Sequence, residues 1–177
     1  SRELTKLPDN TSWDLQREVA DWLKGLDQVF QADPAPLSPK ERYAFLEKIS
    51  RTGDDYRAKL YNGKGSGQSV AVAKEQLQAF LDHVVRWVES SLAENRRKDG
   101  LFHSYNLLRV PEKGHLVIDP LEEMLEGQVS ILSSGLLSGA EAADLLDGLK
   151  ESRLYRNDFR SFFLYPDLEL PSFLEQT

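Results

Sequence analysis

The chain has 177 residues, 40% hydrophobic, 10% aromatic and 29% charged, with a formal net charge of -7 and no cysteine. That length fits one domain with its own core, and the aromatic content excludes intrinsic disorder. Lack of cysteine excludes a disulfide framework, a zinc–thiolate site, an iron–sulfur cluster and a cysteine nucleophile, while the acidity works against nucleic acid and anionic membranes as partners.

Residues 1–10 read as an irregular lead-in. Ser12 can cap a first helix with Asp14 in its opening turn, and Leu15, Val19, Trp22, Leu23, Leu26 and Phe30 then recur at helical spacing. Asp33-Pro34-Ala35-Pro36 ends it, because proline disfavours helix at the preceding residue. Ser38-Pro39-Lys40-Glu41 is a capping box with proline in the first helical position, followed on one face by Tyr43, Leu46, Ile49, Gly53, Tyr56 and Leu60. Gly53 either weakens this second helix or admits a close neighbour. Asn62-Gly63-Lys64-Gly65-Ser66-Gly67 lacks the Ser or Thr that a phosphate loop needs after Gly-Lys, so it reads as a connection between helices.

A third helix carries Leu77, Phe80, Leu81, Val84, Val85, Val88 and Leu92 on one face and stops within Asn95 to Gly100. Alternation from Leu101 to Leu108, a turn at Pro111 to Gly114 and a return over His115 to Ile118 predict a short β-hairpin or extended loop. Asp119-Pro120-Leu121-Glu122 starts a fourth helix that runs to Ser134, with Gly135 just past its end. Ser138-Gly139-Ala140-Glu141 caps a fifth, with Ala142, Leu145, Leu146 and Leu149 inward, and the short link makes the last two antiparallel neighbours. From Ser152 onward regular structure fades. Phe159, Phe162, Phe163, Leu164, Tyr165, Leu168, Leu170, Phe173 and Leu174 are too apolar for a free tail and must cover either the helices or another part of a larger protein. The expected fold is all-α: antiparallel helical hairpins, as in a helical bundle or an α/α-toroid, in a single helical domain over 1–177, with one short β-hairpin or extended loop.

Arg96, Arg97 and Lys98 complement the end of the third helix, and a phosphate patch would need more charge and an interleaved aromatic. Glu122, Glu123 and Glu126 crowd one stretch; paired carboxylates can do acid–base work on a glycosidic bond, but acids near a helix start also complement its dipole. His83 reads as structural and His115 as exposed. His103, Tyr105 and Asn106 lie in an extended polar stretch, and Glu126 and Gln128 bracket Gly127 in the fourth helix. These five are the candidate substrate-binding residues. They are expected to meet at one end of the helices, either as a closed hydrogen-bond network or as a sugar-sized cleft. His103 has no partner at metal-ligand spacing, and no metal or cofactor is expected. Nucleophile-elbow, metalloprotease and kinase signatures are all missing. No window approaches the ~18 apolar residues of a membrane span and no leader peptide is visible, so a cytoplasmic setting is expected. A start at Ser1 predicts a segment of a longer protein.

Asn95-Arg96-Arg97 with Asp99 to Leu108, Leu121 to Gln128 continuing through Leu132 to Ser138, and Phe163-Leu164-Tyr165-Pro166-Asp167 with Leu170-Pro171 form a distinctive set. The set resembles a region of large uncharacterised bacterial proteins grouped as cellobiose phosphorylase-like, over about the second half of the chain. The resemblance implies an α/α-toroid carbohydrate enzyme that splits or builds β-glucosidic bonds with phosphate, of which this chain would be one helical domain. None of that family's catalytic or phosphate-binding residues can be placed on a position here. The expected function is therefore a helical domain of a glycoside phosphorylase-like protein that lacks catalytic residues of its own. Its expected partners are the remaining domains of the parent protein and an oligosaccharide. The alternative is a non-catalytic scaffold or protein-interaction domain.

Overall fold

The computed structural model describes residues 3–63 and 65–166. Ser12–Gln16 is a strand, β1, with Trp13 and Leu15 half-buried and Ser12, Asp14 and Gln16 exposed. It pairs antiparallel with β2, Ser69–Ala73, which sets Val70 opposite Leu15 and Val72 opposite Trp13. Such cross-strand pairs of β-branched with large apolar residues favour the ribbon over the helix start expected at Ser12. Helix α1 accordingly runs only from Arg17 to Phe30. Helix α2, Pro39–Tyr61, begins at its capping box: Ser38 Oγ accepts the Glu41 N–H, and the Glu41 carboxylate accepts the Ser38 N–H at 2.8 Å. Helix α3, Lys74–Glu94, follows β2 directly.

Strands β3, Asn106–Arg109, and β4, Val117–Pro120, form the expected hairpin. The helix expected to start at Asp119-Pro120 does not start there. Arg109 donates to both carboxylate oxygens of Asp119, at 2.7 and 3.2 Å, so Asp119 is engaged across the hairpin and does not cap a helix. Helix α4 spans Leu125–Ser134 and closes on Gly135 at φ 73°, a left-handed conformation that favours glycine. Helix α5, Gly139–Glu151, opens with the second capping box. Beyond it, β5 (Tyr155–Arg156) pairs antiparallel with β6 (Ser161–Phe162).

The all-α expectation is thereby overturned, and the toroid and bundle architectures with it. Over its described residues the chain is mixed α/β, 52% helical and 15% strand, with three small antiparallel sheets. The strands that were missed offer few alternating positions before a helix takes over, so the helical period dominates any sequence window that contains them.

The chain clusters into two compact units, Ser1–Ser91 with Val110–Val117, and Leu92–Arg109 with Ile118–Thr177. The first unit is held by aromatic contacts. Trp22 stacks on Tyr56 at 5.0 Å, Phe45 stacks on Trp87 at 4.5 Å, and Phe30 meets Phe45, Phe80 and Trp87 edge-on. Trp87 Nε1 donates to the carbonyls of Phe30 and Ala32, both at 3.1 Å. The inner face of α3 thus turns on Trp87, while Val85 and Val88 are 41% and 51% exposed. Gly53 admits no neighbouring helix; the close approach of α1 to α2 is at Gly25, where a Cβ would lie 3.2 Å from Thr52 Cγ2. His83 is structural, its Nδ1 2.8 Å from Asp27 Oδ1, and His115 is half-buried, not exposed.

The second unit encloses a core of Leu101, Phe102, Ile131, Leu145, Leu149 and Leu154, none more than 7% exposed. Leu154 comes from the segment expected to be irregular. Leu146, expected inside, is 47% exposed, and Phe159 is 69% exposed beside Arg156. Leu168, Leu170, Phe173 and Leu174, together with Asp167 and Pro171, lie outside the described residues, as does Lys64.

Candidate functional site

After α3 the chain turns back on itself. Arg97 N–H donates to Leu101 O at 2.8 Å, and His103 N–H to Asn95 O at 2.9 Å. The returning segment is then pinned by Gln128, a fully buried amide in α4. Gln128 Oε1 accepts the Phe102 N–H at 2.9 Å, and its Nε2 donates to Phe102 O at 2.7 Å and to Met124 O at 3.2 Å. This side chain replaces a strand partner, and its own polar atoms are paired in the process. One residue earlier, Gly127 lies in the first turn of α4, not mid-helix. A Cβ there would fall 2.5 Å from Ser104 Oγ and closer still to Ser104 Cβ, so glycine is what lets the loop reach the helix.

The other acids of this region are structural. Glu123 is 3% exposed and 3.1 Å from both Arg153 Nε and Arg97 Nη1; Arg97 also pairs with Asp99 at 2.8 Å, and Arg153 with Glu122. Burial pushes the Glu123 carboxyl up. The hydrogen bond from Arg153, the local backbone and the charges of Arg97 and Arg153 outweigh burial and hold it below the ordinary glutamate range.

Between the loop and α4 lies a cleft of about 240 Å³. Leu92 and Ile131 form its apolar side; Asn95, His103, Ser104, Tyr105, Glu126 and Ser130 supply polar groups, over Gly127. Tyr105 Oη donates to Glu126 Oε1 at 3.0 Å. That hydrogen bond and the carboxylate charge, with smaller contributions from burial and Tyr165, push the phenol up, so Tyr105 is a neutral donor. His103 Nδ1 lies 3.2 Å from Leu121 O, a carbonyl that can only accept, so Nδ1 carries the proton. Ser130 Oγ donates to Glu126 O at 2.8 Å.

Of the five candidate residues, His103, Tyr105 and Glu126 face this cleft together. Asn106 stands outside the lining, donating through Nδ2 to Asn95 Oδ1 at 2.8 Å. Gln128 is sealed in the core. The five residues thus divide: His103, Tyr105 and Glu126 line the cleft, while Asn106 and Gln128 are tied by hydrogen bonds outside it. Asn95, Ser104 and Ser130 complete the lining. Asn95 reads in sequence only as a helix stop, and Ser130 only as a polar helix position. A larger groove of about 640 Å³ lies in the first unit along α1, β2 and the start of α3. Its charged lining residues are of mixed sign, Arg17 and Lys24 with Asp21, Asp27 and Glu75. A small open basin beside the cleft is lined by Arg96, Arg97, Lys98 and His103, but Arg97 is already paired with Asp99 and Glu123, and Arg96 with Glu141 at 3.5 Å.

Among the described residues no helix is long and apolar enough to cross a membrane, and no group of acids and histidines is arranged to hold a metal ion. The chain matches no protein-family model and no curated protein.

Proposed function

We propose that this chain is a saccharide-binding module of a longer, cellobiose phosphorylase-like protein and carries no catalytic residues of its own. The meeting of Tyr105 and Glu126 across the 240 Å³ cleft is the observation in its favour. The cleft pairs an apolar wall with hydroxyl, amide and carboxylate groups, the mixture that takes a sugar ring by its face and its hydroxyls together. Among the described residues Glu126 is the single carboxylate in the lining; Glu122 and Glu123 are engaged by Arg153 and Arg97. Glycosidic cleavage by acid–base chemistry needs two, so binding is favoured over turnover. The proposed partners are an oligosaccharide and the remaining domains of the parent protein. A cytoplasmic setting is compatible with a chain that has no cysteine.

Titration of the chain with gluco-oligosaccharides, followed by amide chemical shifts, should move residues around 103–105 and 126–130 saturably, and Tyr105→Phe should weaken the effect. Shifts that never saturate would sink the proposal, as would phosphate-dependent release of glucose 1-phosphate by the pure chain. The scaffold alternative draws on Leu107 and Leu108 of β3, 55% and 61% exposed. It predicts no saccharide response at all.

A further inference from the structure

The polar groups of the cleft are unevenly used. Three of its donors are spent: Tyr105 Oη–H on Glu126, Ser130 Oγ–H on the Glu126 carbonyl and His103 Nδ1–H on Leu121 O. Two acceptors are left over. Glu126 Oε1 receives the tyrosine and its second oxygen has no partner among the described residues, and His103, with its proton on Nδ1, presents Nε2 as a lone pair. Ser104 Oγ, buried with no partner among the described residues, can accept or donate. Charge is uneven in the same sense. Among the described residues neither Lys nor Arg lines the cleft, and Glu126 makes no ion pair. A neutral sugar hydroxyl brings one donor and no charge to set against the carboxylate. A protonated primary amine brings three donors, a positive charge and no acceptor.

We propose that the cleft prefers an amino sugar, with its ammonium group on Glu126 and its ring between Tyr105 and the Leu92–Ile131 wall. This rests on the saccharide-binding reading above and narrows its ligand class. Because Glu126 is exposed, water and salt weaken the attraction, and the expected preference is modest, about fivefold over the neutral sugar.

The test is a set of amide chemical-shift titrations of the whole chain at neutral pH and low salt, with glucosamine, glucose, N-acetylglucosamine and methylamine as ligands. Glucosamine should bind about fivefold more tightly than glucose, N-acetylglucosamine should behave like glucose, and methylamine should bind far more weakly than either. Glu126→Gln, which keeps shape and hydrogen-bonding reach, should bring glucosamine and glucose to a common affinity. Raising the salt on the unaltered chain should do the same. Equal affinities for glucose and glucosamine in the unaltered chain would overturn the amino-sugar preference and leave saccharide binding standing. Methylamine binding as tightly as glucosamine would overturn the sugar component. Absence of response to every ligand would overturn both this inference and the saccharide reading. A glucosamine preference surviving in Glu126→Gln would show that the carboxylate does not recognise the amine.

Discussion

The two units of this chain reach order by different routes. The first has the long amphipathic helices, α1 to α3, yet among its described residues Leu116 is the one buried hydrophobic side chain, and its aromatics pack half-exposed. The second has shorter helices and irregular connections. Its described residues nevertheless include six buried hydrophobic residues in one cluster, the buried Gln128 and the buried Glu123 with its two arginines. Helical periodicity therefore indicates that a helix forms, and not how completely its face is covered. The candidate site belongs to the unit with the closed core, where a binding cleft needs its walls fixed.

The contrast can be broken most sharply at Leu145, 2% exposed in the core of the second unit. Leu145→Ala should lower stability by about 2–5 kcal/mol in urea unfolding. A loss well under 1 kcal/mol would mean that this core is not closed. Gly127→Ala probes the loop–helix contact. The clash with Ser104 exceeds the helix-propensity gain of alanine, for a net loss of about 1–2 kcal/mol. In a Ser104→Gly background the same substitution should cost nothing, because the clashing atoms are gone; equal losses in both backgrounds would place the strain elsewhere. Val85→Ala should be the mildest. With Val85 41% exposed and alanine the better helix former, the change should stay within about 0.5 kcal/mol of zero.

Both capping boxes, the stop at Gly135 and the hairpin turn were legible because each depends on neighbours within a few residues. What the sequence could not show were partners far along the chain. Ser12 resembles a helix cap until Ser69–Ala73 pairs with its strand, and Asp119 resembles one until Arg109 takes its carboxylate. Most of the α3 stripe is half-buried as expected, but Val85 and Val88 match the apolar pattern and are exposed, whereas Trp87, outside it, is drawn inward by Phe45 and the carbonyls of Phe30 and Ala32. In the candidate site, the extended spacing of His103 and Tyr105 was readable. The sealing of Gln128 by Phe102 and the loss of Glu122 and Glu123 to Arg153 and Arg97 were not.

Native-state amide hydrogen exchange tests the difference between the two units most directly, because it reports local opening residue by residue. The slowest amides should cluster at Leu101 and Phe102, in α4 from Gln128 to Ile131 and in α5 from Leu145 to Leu149. Amides of α1 and of α3 through Val88 should exchange faster despite their longer helices. The opposite order, with the centre of α3 outlasting Phe102 and Leu149, would contradict the account.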